Sequence, residues 1–207
     1  MENSIQLLID AFQFASYKHR FQFRKGENHQ AYIVHPAAVC KILSDSGVTD
    51  VEILCGALLH DTVEDTQTTF EELEEKFGPK ITQYVRELTD DKSLDKISRK
   101  KSHLAEAYVE SKGAQMINLA DRINNCESLI ESCPMSLGPH KKAQGYIVWS
   151  KKIADAVKGT NPNLDKRFED LLTKNIHMED GSECPALPDG DLDVALEEYY
   201  EMLVGLY

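Results

Sequence analysis

Seven consecutive residues, Ile53 to Leu59, are apolar or glycine, and directly after them come His60, Asp61, Glu64 and Asp65. A helix that is apolar on every side must be surrounded by protein, so this stretch demands a fold in which other elements wrap it. At about 100° per residue, the four polar residues would share one broad face at the end of that helix. Clustered carboxylates repel one another and are costly to desolvate unless a cation or water compensates them. By itself the segment is equally consistent with a helix that emerges into solvent at His60.

The wrapping elements are helices too. Ile5, Leu8, Ile9, Phe12 and Ala15 recur at helical spacing, as do Met116, Leu119, Ala120, Ile123 and Cys126, and strand-like alternation is sustained nowhere. Thr49 with Glu52 and Thr69 with Glu72 read as capping boxes. Gly78-Pro79 closes one helix and opens the next, and Gly159 followed by Asn161-Pro162 repeats that punctuation before a helix at about 162–176. The expected fold is all-α, a bundle of about eight to ten helices. With 207 residues, 42% of them hydrophobic, the chain can bury the core of one domain. Composition changes near residue 177, so we divide the chain into a main domain, 1–176, and a tail, 177–207. Met178 to Gly190, with Gly181, Pro185 and Pro188, reads as a linker or surface loop. Leu192, Ala195, Leu196, Tyr199, Tyr200, Leu203 and Leu206 then outline an amphipathic helix, docked on the domain or free for a partner.

Formal charge narrows the function. With 23 basic and 35 acidic residues the net charge is −12, which argues against nucleic acid and anionic membranes as partners. An anionic substrate must then meet local positive charge. Lys18, His19, Arg20, Arg24 and Lys25 form one basic patch suited to phosphate. Lys92, Lys96, Arg99, Lys100 and Lys101 form a second, readable either as a solubilising face or as another phosphate contact. The acidic run Glu71, Glu72, Glu74 and Glu75 reads as a solvated helix face. The longest apolar run is too short to span a bilayer and Asp10 interrupts the first one, so the expected setting is cytoplasmic. Five cysteines without CxxC spacing or scaffold density are expected to be reduced.

His35, before Pro36, stands where a helix begins, and Asp121 lies inside an otherwise apolar helix from about Ala114 to Leu129. Each alone is unremarkable, one a structural histidine and the other an ion-pair partner of Arg122. Together with His60 and Asp61 they make a two-imidazole, two-carboxylate set suited to a divalent metal with open positions, which activates water.

The order His35, His60-Asp61, Asp121 resembles the HD superfamily of metal-dependent phosphohydrolases. Tyr32-Ile33-Val34-His35-Pro36, His60-Asp61-Thr62-Val63-Glu64-Asp65-Thr66, Thr89-Asp90-Asp91-Lys92 and Leu119-Ala120-Asp121-Arg122 are similar, more narrowly, to the hydrolase domain of RelA/SpoT proteins and to the single-domain small alarmone hydrolases, over about residues 5–175. The resemblance implies an HD-domain helical bundle. It implies His35, His60, Asp61 and Asp121 as ligands of one Mn2+ per chain, and Glu64 and Asp65 as the acidic pair that positions the attacking water. Arg24, Lys25, Tyr32, Asn125 and Ser128 match substrate-contact positions, and Lys142 and Tyr146 match positions lining the same cleft. The implied reaction is hydrolysis of the 3′-pyrophosphate of (p)ppGpp to GDP or GTP and pyrophosphate. Rival readings are hydrolysis of (p)ppApp or of the NADPH 2′-phosphate, or a catalytically inert HD regulatory module. Expected partners are the nucleotide alarmone, a second copy of the chain, or a cognate small alarmone synthetase. Phe21 stands where the family commonly has Gly and Ala31 where it commonly has Pro, so base selectivity does not follow from the resemblance.

Overall fold

The apolar run forms most of a short helix, α3 (Val51–Leu59), in which Cys55, Ala57 and Leu59 are fully buried. It is wrapped by α1 (Glu2–Lys18), α2 (Val34–Asp45), α5 (Phe70–Leu88) and α7 (Lys112–Glu131), all of which pack against it. This computed structural model describes residues 2–24, 30–134 and 139–205. The other helices are α4 (Thr62–Asp65), α6 (Lys96–Ala107), α8 (His140–Ala156), α9 (Pro162–Leu171) and α10 (Leu192–Leu203). The ten helices among the described residues make the expected all-α bundle. One short antiparallel hairpin interrupts it, β1 (Asn175–His177) against β2 (Glu183–Pro185), with Ile176 opposite Cys184.

Local chemistry sets the helix limits. Thr69 caps α5 by accepting from the Glu72 amide at 3.2 Å, and Asn161 caps α9 ahead of Pro162. Gly78, at φ +82°, breaks the helical backbone within α5, and Pro79 restarts it. At α3 the cap is Asp50, which accepts from the Glu52 amide at 2.9 Å, and not the expected Thr49; aspartate outranks threonine in that role. The polar residues after Leu59 do not continue α3. The helix breaks at His60 and Asp61, where Thr62 Oγ1 donates to the Leu59 carbonyl at 2.7 Å, and the chain resumes as the single turn α4.

The buried face of α1 also departs from its apolar stripe. Ala11 and Ala15 are fully buried, whereas Ile5 and Ile9 are 63% and 53% exposed. Two alanines let α1 approach α3 closely, and Leu7, Leu8 and Phe14 close the seam beside them.

The tail is built into the domain. Helix α9 stops at Leu171, not near 176, because Asn175–His177 are taken up as a strand whose Ile176 is fully buried. The Cys133 amide donates to the His177 carbonyl at 2.8 Å, tying the hairpin to the chain just beyond α7. Within 178–190, Met178 and Ala186 are buried while most of the segment is exposed or half-buried, as in an ordered surface loop. Helix α10 lies along α8, and a Cβ on Gly145 would fall 2.4 Å from Tyr199 Cβ. Glycine at 145 is what allows that approach. Leu206 lies outside the described residues.

Candidate active site

His35 enters from the first turn of α2, His60 and Asp61 from the break after α3, and Asp121 from the middle of α7. The packing of α2, α3 and α7 therefore brings the four side chains to one point. His35 Nε2 lies 2.9 Å from Asp121 Oδ1 and 3.5 Å from Asp61 Oδ2. His60 Nε2 lies 3.1 Å from Asp61 Oδ2 and 3.9 Å from Asp121 Oδ1. His35, His60 and Asp121 are buried, and Asp61 is partly so.

Hydrogen bonds behind the ring fix which nitrogens face this point. His60 Nδ1 is 2.7 Å from the Ala57 carbonyl, which can only accept, so Nδ1 carries a proton and Nε2 is the nitrogen turned toward the carboxylates. His35 Nδ1 is 2.7 Å from Asn124 Oδ1 and is oriented in the same way. Although Asp61 is near, His60 Nε2 is buried and makes no well-formed hydrogen bond among the described residues. Two imidazole nitrogens and two carboxylate oxygens at these separations form a group that could hold a cation among them. The donor set, two nitrogens and two oxygens with neighbouring hydrogen-bond partners, fits a divalent transition metal.

The carboxylates are held in turn. Asp61 Oδ2 accepts from Tyr32 Oη at 2.8 Å, and Asp121 Oδ1 accepts from Asn125 Nδ2 at 2.7 Å, while the Arg122 guanidinium grips the other Asp121 oxygen. Burial alone would raise the Asp61 carboxyl, but His60, His35 and the Tyr32 hydroxyl outweigh it and hold the group well below the usual carboxylate range. Burial pushes the His35 imidazole down to about 3. The neutral imidazole is the form a metal needs.

These residues line a cavity of about 370 Å³. Arg24, next to the Phe23–Ala31 bridge, reaches it and donates to Asn125 Oδ1 from both terminal nitrogens at 3.2 Å. Tyr32, Asn125 and Tyr146 line the cavity too, and Ser128 touches it through Arg24, 3.3 Å away. Lys142 is not among the lining side chains, and Lys25 lies outside the described residues. Glu64 and Asp65 line the cavity as well. Glu64 Oε2 accepts from the Asp90 amide at 3.3 Å, and Asp65 Oδ1 accepts from Lys92 Nζ at 2.8 Å. Burial, followed by the Asp90 charge, raises the Glu64 carboxyl above its ordinary value.

The inner wall is where sequence reasoning fell short. Lys100 from α6 and Arg122 from α7 meet over the Trp149 ring of α8, with Lys100 Nζ 3.3 Å and Arg122 Cζ 4.9 Å from its centroid. Arg122 Nε is buried without a partner among the described residues. Burial, followed by Arg122, pushes the Lys100 amine down to about 7. The second basic patch thus divides: Lys100 enters the cleft, Lys92 holds the acid pair, and Lys101 lies over Tyr200. In the first patch only Arg24 lines the cavity among the described members, since Lys18 pairs with Glu72 at 2.7 Å and Arg20 stacks on Tyr17. Asp90, His103, Asn118 and Trp149 complete the wall. Of these, only Asp90 had a sequence signal, as part of the segment Thr89-Asp90-Asp91-Lys92.

Comparison with known proteins agrees with the geometry. The HD domain family model matches residues 11–144. Over 166 residues the chain is 40% identical to the proteins named guanosine-3′,5′-bis(diphosphate) 3′-pyrophosphohydrolase MESH1 of Mus musculus and of Homo sapiens, covering 80% of this chain and 92% of each relative. It is also similar to the solved structure reported as "A metazoan ortholog of SpoT hydrolyzes ppGpp and plays a role in starvation responses". The TM-score there is 0.74 at 37% identity, over 80% of this chain and 93% of that one.

Proposed function

We infer that this chain, which belongs to the HD domain family, is a metal-dependent hydrolase that removes the 3′-pyrophosphate of (p)ppGpp, giving GDP or GTP and pyrophosphate. One observation carries the reading: a single cavity is lined both by four converging metal-type donors and by the cations Arg24, Lys100 and Arg122, the last of them paired with Asp121. A cation site and anion-binding side chains in one cavity are what a phosphoanhydride-bearing nucleotide requires. The names of the relatives support the same substrate.

His35, His60, Asp61 and Asp121 would hold one ion per chain, which we take to be Mn2+. Such an ion supplies Lewis acidity toward a phosphoryl oxygen and acidifies water. Glu64 and Asp65 orient the attacking water and accept its proton; the raised Glu64 carboxyl makes it a stronger base than an ordinary carboxylate. Attack at the phosphorus joined to the 3′ oxygen breaks that P–O bond, and the nucleoside 3′ oxygen leaves and is protonated. Arg24, Lys100 and Arg122 balance the phosphate charge, while Tyr32 and Asn125 keep Asp61 and Asp121 aimed. Tyr146, beside Trp149 with ring centroids 5.6 Å apart, offers an aromatic surface to the nucleoside. The reading carries with it a cytoplasmic setting.

Metal-stripped protein with and without manganese, incubated in parallel with ppGpp, ppApp and NADPH, tests it by product analysis. Manganese-dependent GDP and pyrophosphate from ppGpp are expected. Inorganic phosphate from NADPH alone, or turnover of ppApp alone, would replace the guanosine substrate, and no turnover at full metal occupancy would leave an inert regulatory module.

A further inference from the structure

Behind the acid pair runs a hydrogen-bonded chain of side chains to which the reaction above assigns no task. His103 Nδ1 is 2.8 Å from Asp90 Oδ1, and His103 Nε2 is 3.1 Å from Asn118 Oδ1. The Asn118 amide is oriented by its own donation to both Glu110 oxygens, at 2.9 and 3.2 Å. Its oxygen therefore faces His103 Nε2, while Asp90 faces Nδ1. The front end of the chain is the segment 89–93. From it the Asp90 amide donates to Glu64 Oε2, and Lys92 donates to Asp65 Oδ1 and to the Glu64 carbonyl.

The acids that handle the water are thus held by a non-helical segment, anchored at its start by Thr89 Oγ1 donating to the Val85 carbonyl at 2.7 Å and turned by the Ser93 amide donating to Asp91 Oδ1 at 2.9 Å. Asp90 is the side chain that ties that segment to α6, and His103 is the group that clamps it. His103 is buried and stands between α7, through Asn118, and α8, where its ring lies 5.5 Å from Trp149. It touches none of the four metal-type donors in the contacts above.

We propose that His103 is a positioning residue: by clamping Asp90 it fixes segment 89–93 and so holds Glu64 and Asp65 at the reacting phosphate. The assignment rests on the hydrolytic reading. If His103 merely stapled α6 to α7 and α8, its removal would lower stability without selectively slowing the chemical step.

The full chain loaded with manganese provides the test, with wild-type ppGpp turnover measured first. Absence of that turnover would overturn the hydrolytic reading, and hydrogen exchange would still decide the clamp. In His103→Leu we expect manganese content unchanged, KM within about twofold and kcat lower by about ten- to a hundredfold, as for supporting groups behind a reactive site. Amides of 89–93 should exchange faster while those of α3 keep wild-type rates. Asp90→Ala, at a less buried position, should give the same pattern. The double variant should be no slower than the slower single one, because both remove one clamp. Unchanged kcat, a rise in KM alone, loss of manganese, additive losses in the double variant, or unaltered exchange at 89–93 would each overturn the proposal.

Discussion

The two sides of the cleft are stabilised in opposite ways. On the metal side each donor has a fixed partner: Ala57 behind His60, Asn124 behind His35, Tyr32 on Asp61, Asn125 on Asp121. On the inner wall Lys100 and Arg122 rest on the face of Trp149, repel one another, and leave Arg122 Nε unpaired among the described residues. One side is complete but for a cation; the other keeps Lys100 on an aromatic face, with Arg122 anchored to a carboxylate, Asp121, through one terminal nitrogen. Preorganisation for charge of both signs within one cavity is what lets a strongly acidic protein accept a polyanion.

Removing a donor from the metal side should have the largest effect. His60→Ala is expected to lose bound manganese, measured by elemental analysis, and to reduce ppGpp turnover to the uncatalysed level; retained metal with full turnover would break the contrast. Glu64→Gln comes next: manganese retained, kcat lower by about 10²- to 10⁴-fold, the usual scale for acid–base catalysis.

The inner wall should respond in KM. Lys100→Ala forfeits a charged contact worth about 1.5–3 kcal/mol, so KM should rise by about ten- to a hundredfold with manganese content unchanged. Because burial and Arg122 push this amine from 10.5 to about 7, it loses its proton as pH rises through 7. Wild-type KM is therefore expected to climb above pH 7 and that of Lys100→Arg to stay flatter. The sign for stability follows: between about 7 and 10.5 the unfolded chain holds a proton that the folded chain lacks, so this group favours folding increasingly as pH rises across that window. The smallest effect on turnover is expected behind the wall. Gly145→Ala forces Cβ toward Tyr199 and should cost about 1–3 kcal/mol of stability by denaturant unfolding, as overpacking does, with only a modest rise in KM.

The same contrast separates what the sequence disclosed from what it did not. The metal side was legible because its residues sit where packing alone has no use for them: His60 and Asp61 directly after a fully apolar run, Asp121 within an apolar helix. Lys100 was not, because a lysine among Lys96, Arg99 and Lys101 looks like any solvated face until α6 is docked on α8. His103, Asn118 and Glu110 meet only through tertiary packing, without local spacing to announce them. The helical bundle followed from periodicity and capping, whereas the α1 face and the hairpin did not. Two alanines dictated the approach of α1 to α3, outweighing a more hydrophobic stripe. The hairpin is three residues a strand, too short to alternate, and its order comes from burying Ile176, Met178 and Ala186.

A stoichiometric titration tests the central claim most directly. Metal-stripped protein is titrated with manganese while pyrophosphate release from ppGpp is followed. We expect release to rise linearly and to break at one ion per chain. Release without metal, a break at two ions per chain, or no release at saturation would contradict a single His35–His60–Asp61–Asp121 centre as the source of the activity.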